Sequence, residues 1–147
     1  MRTKRQARIL ALQALFEIDG AGHSPQLVAA NRLADKPLPA EGQELFQQLV
    51  IGVVDHQSEL DGVITRIAAD WPVEQMALID RNILRMAIFE IALLNQTPVK
   101  VAINEAVELA KLFGSESSRR FVNGVLGTLV AMQETGTVGR LKTIQPS

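Results

Sequence analysis

Between Val99 and Leu126 the chain reads VKVAINEAVELAKLFGSESSRRFVNGVL, and this stretch limits the fold more than any other. Ile103, Ala106, Val107, Ala110 and Phe113 recur at three or four residues, so Val99 to Phe113 presents one apolar helical face. Thr97 is the expected N-cap, with Pro98 at the first helical position, where its missing N–H costs nothing. Gly114 is the expected stop, in the left-handed conformation that glycine takes without steric cost. Ser115 to Ser118 then opens a second helix with Phe121, Val125, Leu129 and Met132 on one seam.

Two features exceed what packing asks. Gly124 and Gly127 lie inside the second helix at about 1 kcal/mol each relative to alanine, which predicts a close approach by another helix. Arg119 and Arg120 fall in its first turn, where the macrodipole disfavours cations by roughly 0.3–1 kcal/mol each. A ligand-binding pair and a solvated surface pair both fit that placement.

The same period runs through the rest of the chain. A first helix is predicted from Lys4 to Asp19, with Ile9, Leu12, Leu15 and Phe16 on one side. Gly20 to Pro25 reads as a loop, with Ser24 capping a short helix that ends near Leu33. A long third helix, Glu41 to Ala69, carries Phe46, Leu49, Val53, His56, Leu60, Ile64 and Ile67 as its seam. Asp70-Trp71-Pro72 breaks it. Val73 to Leu94 is apolar on most sides and reads as a central helix. Strand periodicity is absent throughout. The prediction is an all-α helical bundle of about six or seven helices. Residues 1–134 form one domain and 135–147 a flexible tail.

Chemistry is sparse. The chain has no cysteine, which removes disulfides and thiolate metal sites, and fits a cytoplasmic protein. Its two histidines, His23 and His56, are far apart in sequence, and no Glu-x-x-His pair offers a bundle metal site. Glu105 and Glu108 could pair as carboxylates, but a helix with one polar side gives that spacing routinely. No glycine-rich phosphate loop is present. The expectation is a binding protein and no enzyme, with no metal or cofactor. No apolar run is long enough for a membrane span, and Ile9 to Ile18 is amphipathic, not a signal-peptide core.

Net charge is −1, so the chain has no global basic field. Its charge is instead polarised. Arg2, Lys4, Arg5 and Arg8 fall within the first eight residues, whereas Pro37 to Thr65 holds five acids and no Lys or Arg. Lys4, Arg5 and Arg8 repel one another at the wrong end of a helix dipole. A phosphate-binding cluster and an ordinary solvated N-terminus both remain open.

Several words of the sequence, in this order, resemble the NusB family of transcription antitermination factors. They are Arg5-Gln6-Ala7-Arg8, Ala11 to Phe16, Asp80 to Ala87, VAINEAVELAK, the Phe-Gly after it, and FVNGVL from Phe121 to Leu126. The resemblance runs from about Arg5 to Leu129 and is weakest between Gly20 and Ala40. It implies two packed three-helix halves, with the long third helix bridging toward the second. It further implies that such a chain binds the boxA element of nascent RNA, notably in ribosomal RNA operons. It would do so together with ribosomal protein S-ten (NusE), in an antitermination complex that helps RNA polymerase read through terminators.

Carried over by position, the resemblance assigns RNA contact to Arg2, Lys4, Arg5, Arg8, Ser117, Arg119, Arg120 and Phe121. It assigns the protein partner to Phe16, Asp80 and Arg85. Phe121 also fits a core position, and Arg85 an intramolecular ion pair. Ser117 replaces an acidic residue common in the family, and Arg119 stands near a common proline. The alternative is a helical bundle that binds only protein, such as a homodimer, or the RNA-guiding module of a larger methyltransferase. The chain's length leaves no room for a catalytic half, which favours the freestanding factor.

Overall fold

The computed structural model describes residues 2–135, and these are all-α, with no strand among them. The helices are α1 (Arg2–Ala21), α2 (Pro25–Asp35), α3 (Ala40–Asp55), α4 (Gln57–Ile67), α5 (Leu78–Ile88), α6 (Val99–Phe113) and α7 (Ser118–Thr135). A short 3-10 turn, Val73–Gln75, precedes α5, and a π-helical turn, Phe89–Leu94, follows it. The tail expected from residue 135 onward lies outside the described residues, apart from Thr135 itself, which ends α7.

The chain forms two compact units, one ending at Asp55 and one starting at His56. In the first, α1 packs along α3 and α2 touches both. Ala7, Ala11, Leu12, Ala14 and Leu15 of α1 are buried, as are Val28 and Ala29 of α2 and Phe46, Leu49, Val50 and Val53 of α3. Small alanines on α1 let the helices approach closely. Gly42 serves the same end, since a Cβ there would lie 2.7 Å from Cγ2 of Thr3. The loop after α1 turns at Gly22, whose φ of +71° suits glycine. Ser24 caps α2 as predicted, its Oγ accepting the Leu27 N–H at 3.5 Å.

The second unit is built around α5, which packs against α4, α6 and α7. Ile83, Leu84, Ile88, Phe89 and Leu93 are sealed from solvent, matching the all-round apolar reading of this segment.

Several boundaries differ from expectation. The long third helix is two helices, because His56 leaves helical geometry at φ −114° and ψ 18°. Its ring lies against that of Phe89, with centroids 5.8 Å apart. No glycine or proline marks this break, and the apolar period is the same on both sides. The described part of the second unit therefore holds four α-helices, not three. The segment from Val73 is likewise not one helix. It begins with the 3-10 turn, held by the Arg81 guanidinium donating to the carbonyls of Val73 and Glu74 at 3.3 and 3.2 Å. It ends in the π turn, where the Asn95 N–H reaches the Glu90 carbonyl and Asn95 takes a left-handed φ of 53°.

Pro98, not Thr97, holds the N-cap position of α6, and the Thr97 hydroxyl instead donates to Oε2 of Glu90 at 2.7 Å. This bond helps to satisfy a carboxylate that is 2% exposed. Gly114 ends α6 in extended conformation, φ −91° and ψ −174°, so the left-handed argument does not apply. Glycine is needed there for space, because a Cβ would sit 2.5 Å from Cβ and Oγ of Ser118. The buried face of α6 is Ala102, Ala106, Leu109 and Ala110, rotated from the predicted one, and Phe113 is exposed. On α7 the buried seam is Val122, Val125, Leu126 and Leu129. Gly124 and Gly127 are exposed, and a Cβ on either would meet nothing within 4 Å. The predicted helix contact at these glycines is therefore absent among the described residues, and nothing in the structure explains them.

Candidate functional site

In the first unit, the start of α1 carries the basic cluster. Arg2, Lys4 and Arg5 are exposed. Arg8, expected to join them, is only 5% exposed. One turn along the helix from Lys4 and Arg5, it lies where α1 becomes covered, next to the buried Ala7 and three residues before the buried Ala11. The exposed cluster is therefore three cations, and Arg8 is a buried charge beneath it.

Farther along α1, Phe16 is 41% exposed, although its neighbours Ala14 and Leu15 are buried. Beside it, Glu17 accepts from Nδ1 of His23 at 2.9 Å and from Nη2 of Arg32 at 3.1 Å. The His23 bond first, and the Arg32 bond next, hold the Glu17 carboxyl below its ordinary range.

In the second unit, the link from α6 to α7 is shaped by Ser118. Its buried Oγ accepts the Ser115 N–H at 2.8 Å and lies 3.1 Å from the Ser115 hydroxyl. Ser117 is exposed, its carbonyl accepting the N–H of Phe121 in the first turn of α7. Arg119 and Arg120 are both exposed. Phe121 is half-buried, and its ring lies 4.8 Å from that of Trp71, centroid to centroid, tilted by 47°. Phe121 thus borders the core and reaches solvent, so its placement fits both readings that its sequence position left open. In sequence, Trp71 is legible only as part of a helix-breaking triplet. Its approach to Phe121 spans 50 residues of sequence, and no local pattern signals it.

The acidic and basic candidates on α5 are both buried. Asp80 lies in the first turn, where the helix dipole favours an acid. It is 6% exposed, and its Oδ1 has no hydrogen-bond partner among the described residues. Arg85 is 3% exposed. Its Nε and Nη2 donate to the two carboxylate oxygens of Asp61 at 2.7 and 2.9 Å, and Nη1 lies 3.4 Å from Oδ1 of Asn82. Asn82 is fixed in turn by donating to the Leu78 carbonyl at 2.8 Å. Arg85 is therefore held by an intramolecular, bidentate ion pair, the alternative that its place in the sequence left open.

Among the described residues, no three His, Asp or Glu side chains are grouped as metal ligands. No described helix is long and apolar enough to cross a membrane.

Exposed cations beside aromatic rings can bind anions and stack flat groups, and the same framework recurs in known proteins. The family model of NusB matches residues 5–131. The transcription antitermination protein NusB of Roseiflexus sp. strain RS-1 is 52% identical over 131 residues, covering 87% of this chain and 92% of its own. The NusB structure from T. maritima superposes with a TM-score of 0.80 at 28% identity, over 92% of this chain and 97% of that one. A crystal structure of the antitermination factors NusB and NusE in complex with double-stranded RNA gives a TM-score of 0.82 at 26% identity, over 89% and 98%. With agreement of sequence and fold over nearly the whole described chain, this protein belongs to the NusB family of transcription antitermination proteins.

Proposed function

We propose that the chain serves transcription antitermination in the cytoplasm by binding boxA RNA together with ribosomal protein S-ten (NusE). In this role it joins an antitermination complex that carries RNA polymerase through terminators, notably in ribosomal RNA operons. It works by binding, not by catalysis.

The observation that carries this reading is the Arg119-Arg120 pair beside Phe121. Both guanidinium groups are exposed at the end of α7 where cations are disfavoured, next to an aromatic ring that reaches solvent. Sequence-specific recognition of single-stranded RNA needs that combination of phosphate pairing and base stacking. Within the first unit, Arg2, Lys4 and Arg5 supply a second set of phosphate contacts, while Phe16 supplies the partner contact. Asp80 is the second unit's candidate for the partner, an acid at the start of α5 that is 6% exposed and keeps one oxygen without a hydrogen-bond partner among the described residues. The solved NusB–NusE complex with RNA supports a composite binder of this kind.

The test is a titration of boxA RNA and a scrambled control, with and without ribosomal protein S-ten, at two salt concentrations. The proposal expects a preference for boxA that grows when the partner is added. Equal, weak binding to both RNAs in every condition would sink it and leave a helical bundle whose self-association should be measured instead.

A further inference from the structure

The chain is poor in aromatics, with five phenylalanines, one tryptophan and no tyrosine. Phe46 and Phe89 are sealed in the core. Trp71 is different. It is 42% exposed, yet its ring is in contact with Phe121. An indole whose purpose was to fill the core would be covered, because exposing so large an apolar group forfeits most of its burial gain.

The backbone under both rings is fixed. The Trp71 N–H donates to the Ala68 carbonyl at 3.0 Å, and Pro72 follows at φ −58°. The Phe121 N–H donates to the Ser117 carbonyl at 3.1 Å in the first turn of α7. A pair of rings held this way loses little freedom when a third flat group stacks on it. Immediately before Phe121 come two exposed guanidinium groups, Arg119 and Arg120. Aromatic surface next to cations is the combination that takes a nucleobase with its phosphate, since every base has a π-face and every linkage a charge.

We propose that Trp71 and Phe121 form a stacking subsite for one unpaired base of single-stranded RNA, with Arg119 and Arg120 engaging the adjoining phosphates. This deepens the RNA-binding reading and rests on it. Trp71 is the residue added: it supplies the larger share of the exposed ring surface, and Phe121 backs it.

The experiment uses the full chain with ribosomal protein S-ten and boxA RNA, plus a series of the same RNA with one base removed at a time. Because the chain has a single tryptophan, fluorotryptophan labelling gives one fluorine resonance that reports on the subsite. The expected results are a shift of that resonance on RNA binding and a drop of about tenfold in affinity for Trp71→Leu. Leucine keeps an apolar cover without a π-face, and Trp71→Phe should recover part of the affinity. One abasic position should weaken the wild type and leave Trp71→Leu unaffected, because both changes remove the same stack. Unchanged affinity in a folded Trp71→Leu, or abasic penalties identical in both proteins, would overturn the subsite while RNA binding stands. Failure of the wild type to bind boxA RNA would overturn the RNA reading and the subsite together.

Discussion

Truncating Asp61 takes two charge-assisted hydrogen bonds away from a guanidinium that stays buried, so the two halves of the Arg85–Asp61 pair are unequal. The Arg85 side chain is 4% exposed and that of Asp61 27%. Removing one partner of a buried pair costs ~3–5 kcal/mol; water reaching the Asp61 side lowers the expectation for Asp61→Ala to about 2–3 kcal/mol. Arg85→Met places an apolar chain in an apolar site and leaves a carboxylate that water can reach, so it should cost about 1 kcal/mol. Urea unfolding of both variants checks the order, and equal destabilisation would contradict it. Glu17 makes a different kind of prediction. Its carboxyl is held below the ordinary range by His23 and Arg32, so its contribution is complete above that range and disappears as pH falls through the lowered value. The pair is open to solvent and therefore screened. Glu17→Gln should melt slightly below wild type at neutral pH and converge with it in acid, as thermal scans across that range would show. Neither arrangement is legible from residue types. Arg85 and Asp61 are 24 residues apart, and Glu17 and Arg32 are 15 apart.

For the helices, local signals suffice where a boundary has local chemistry. Ser24-Pro25 caps α2 as expected, and α6 ends at Phe113 as expected, with its N-cap one residue later than the sequence suggests. Such signals fail at His56, where the break between α3 and α4 carries no glycine or proline and the apolar period continues through it. They also fail for the faces of α6 and α7, which are set by the neighbours each helix meets. The glycines of α7 show the difference in energy. With no atom near either position, Gly124→Ala and Gly127→Ala should each stabilise by up to ~1 kcal/mol, the ordinary helix-propensity gain. Chemical denaturation decides this. Lower stability would mean that the helix is crowded there after all, whereas stabilisation with weakened RNA or partner binding would assign these glycines to an interface.

Taken as a whole, the chain carries net charge −1, so affinity for RNA has to come from where its cations are placed. Replacing Arg2, Lys4 and Arg5 by glutamine should lower the salt dependence of boxA binding by roughly 0.7 for each phosphate that is no longer neutralised. Melting should change only slightly, since all three side chains are exposed. An unchanged slope would remove the start of α1 from the RNA site. Phe16→Asp should weaken S-ten binding more than RNA binding and cost less than about 1 kcal/mol of stability, because Phe16 is 41% exposed. A large drop in melting temperature would instead make Phe16 part of the core. Helical class, the number of elements to within one or two, the cap of α2 and the candidate cations were all present in residue order, because helix period and capping are interactions within a few residues. Which cation is buried, which aromatic reaches solvent, where α3 gives way to α4, and that Trp71 meets Phe121 were not. Those depend on contacts between residues tens of positions apart, and side-chain burial is fixed only when the helices pack.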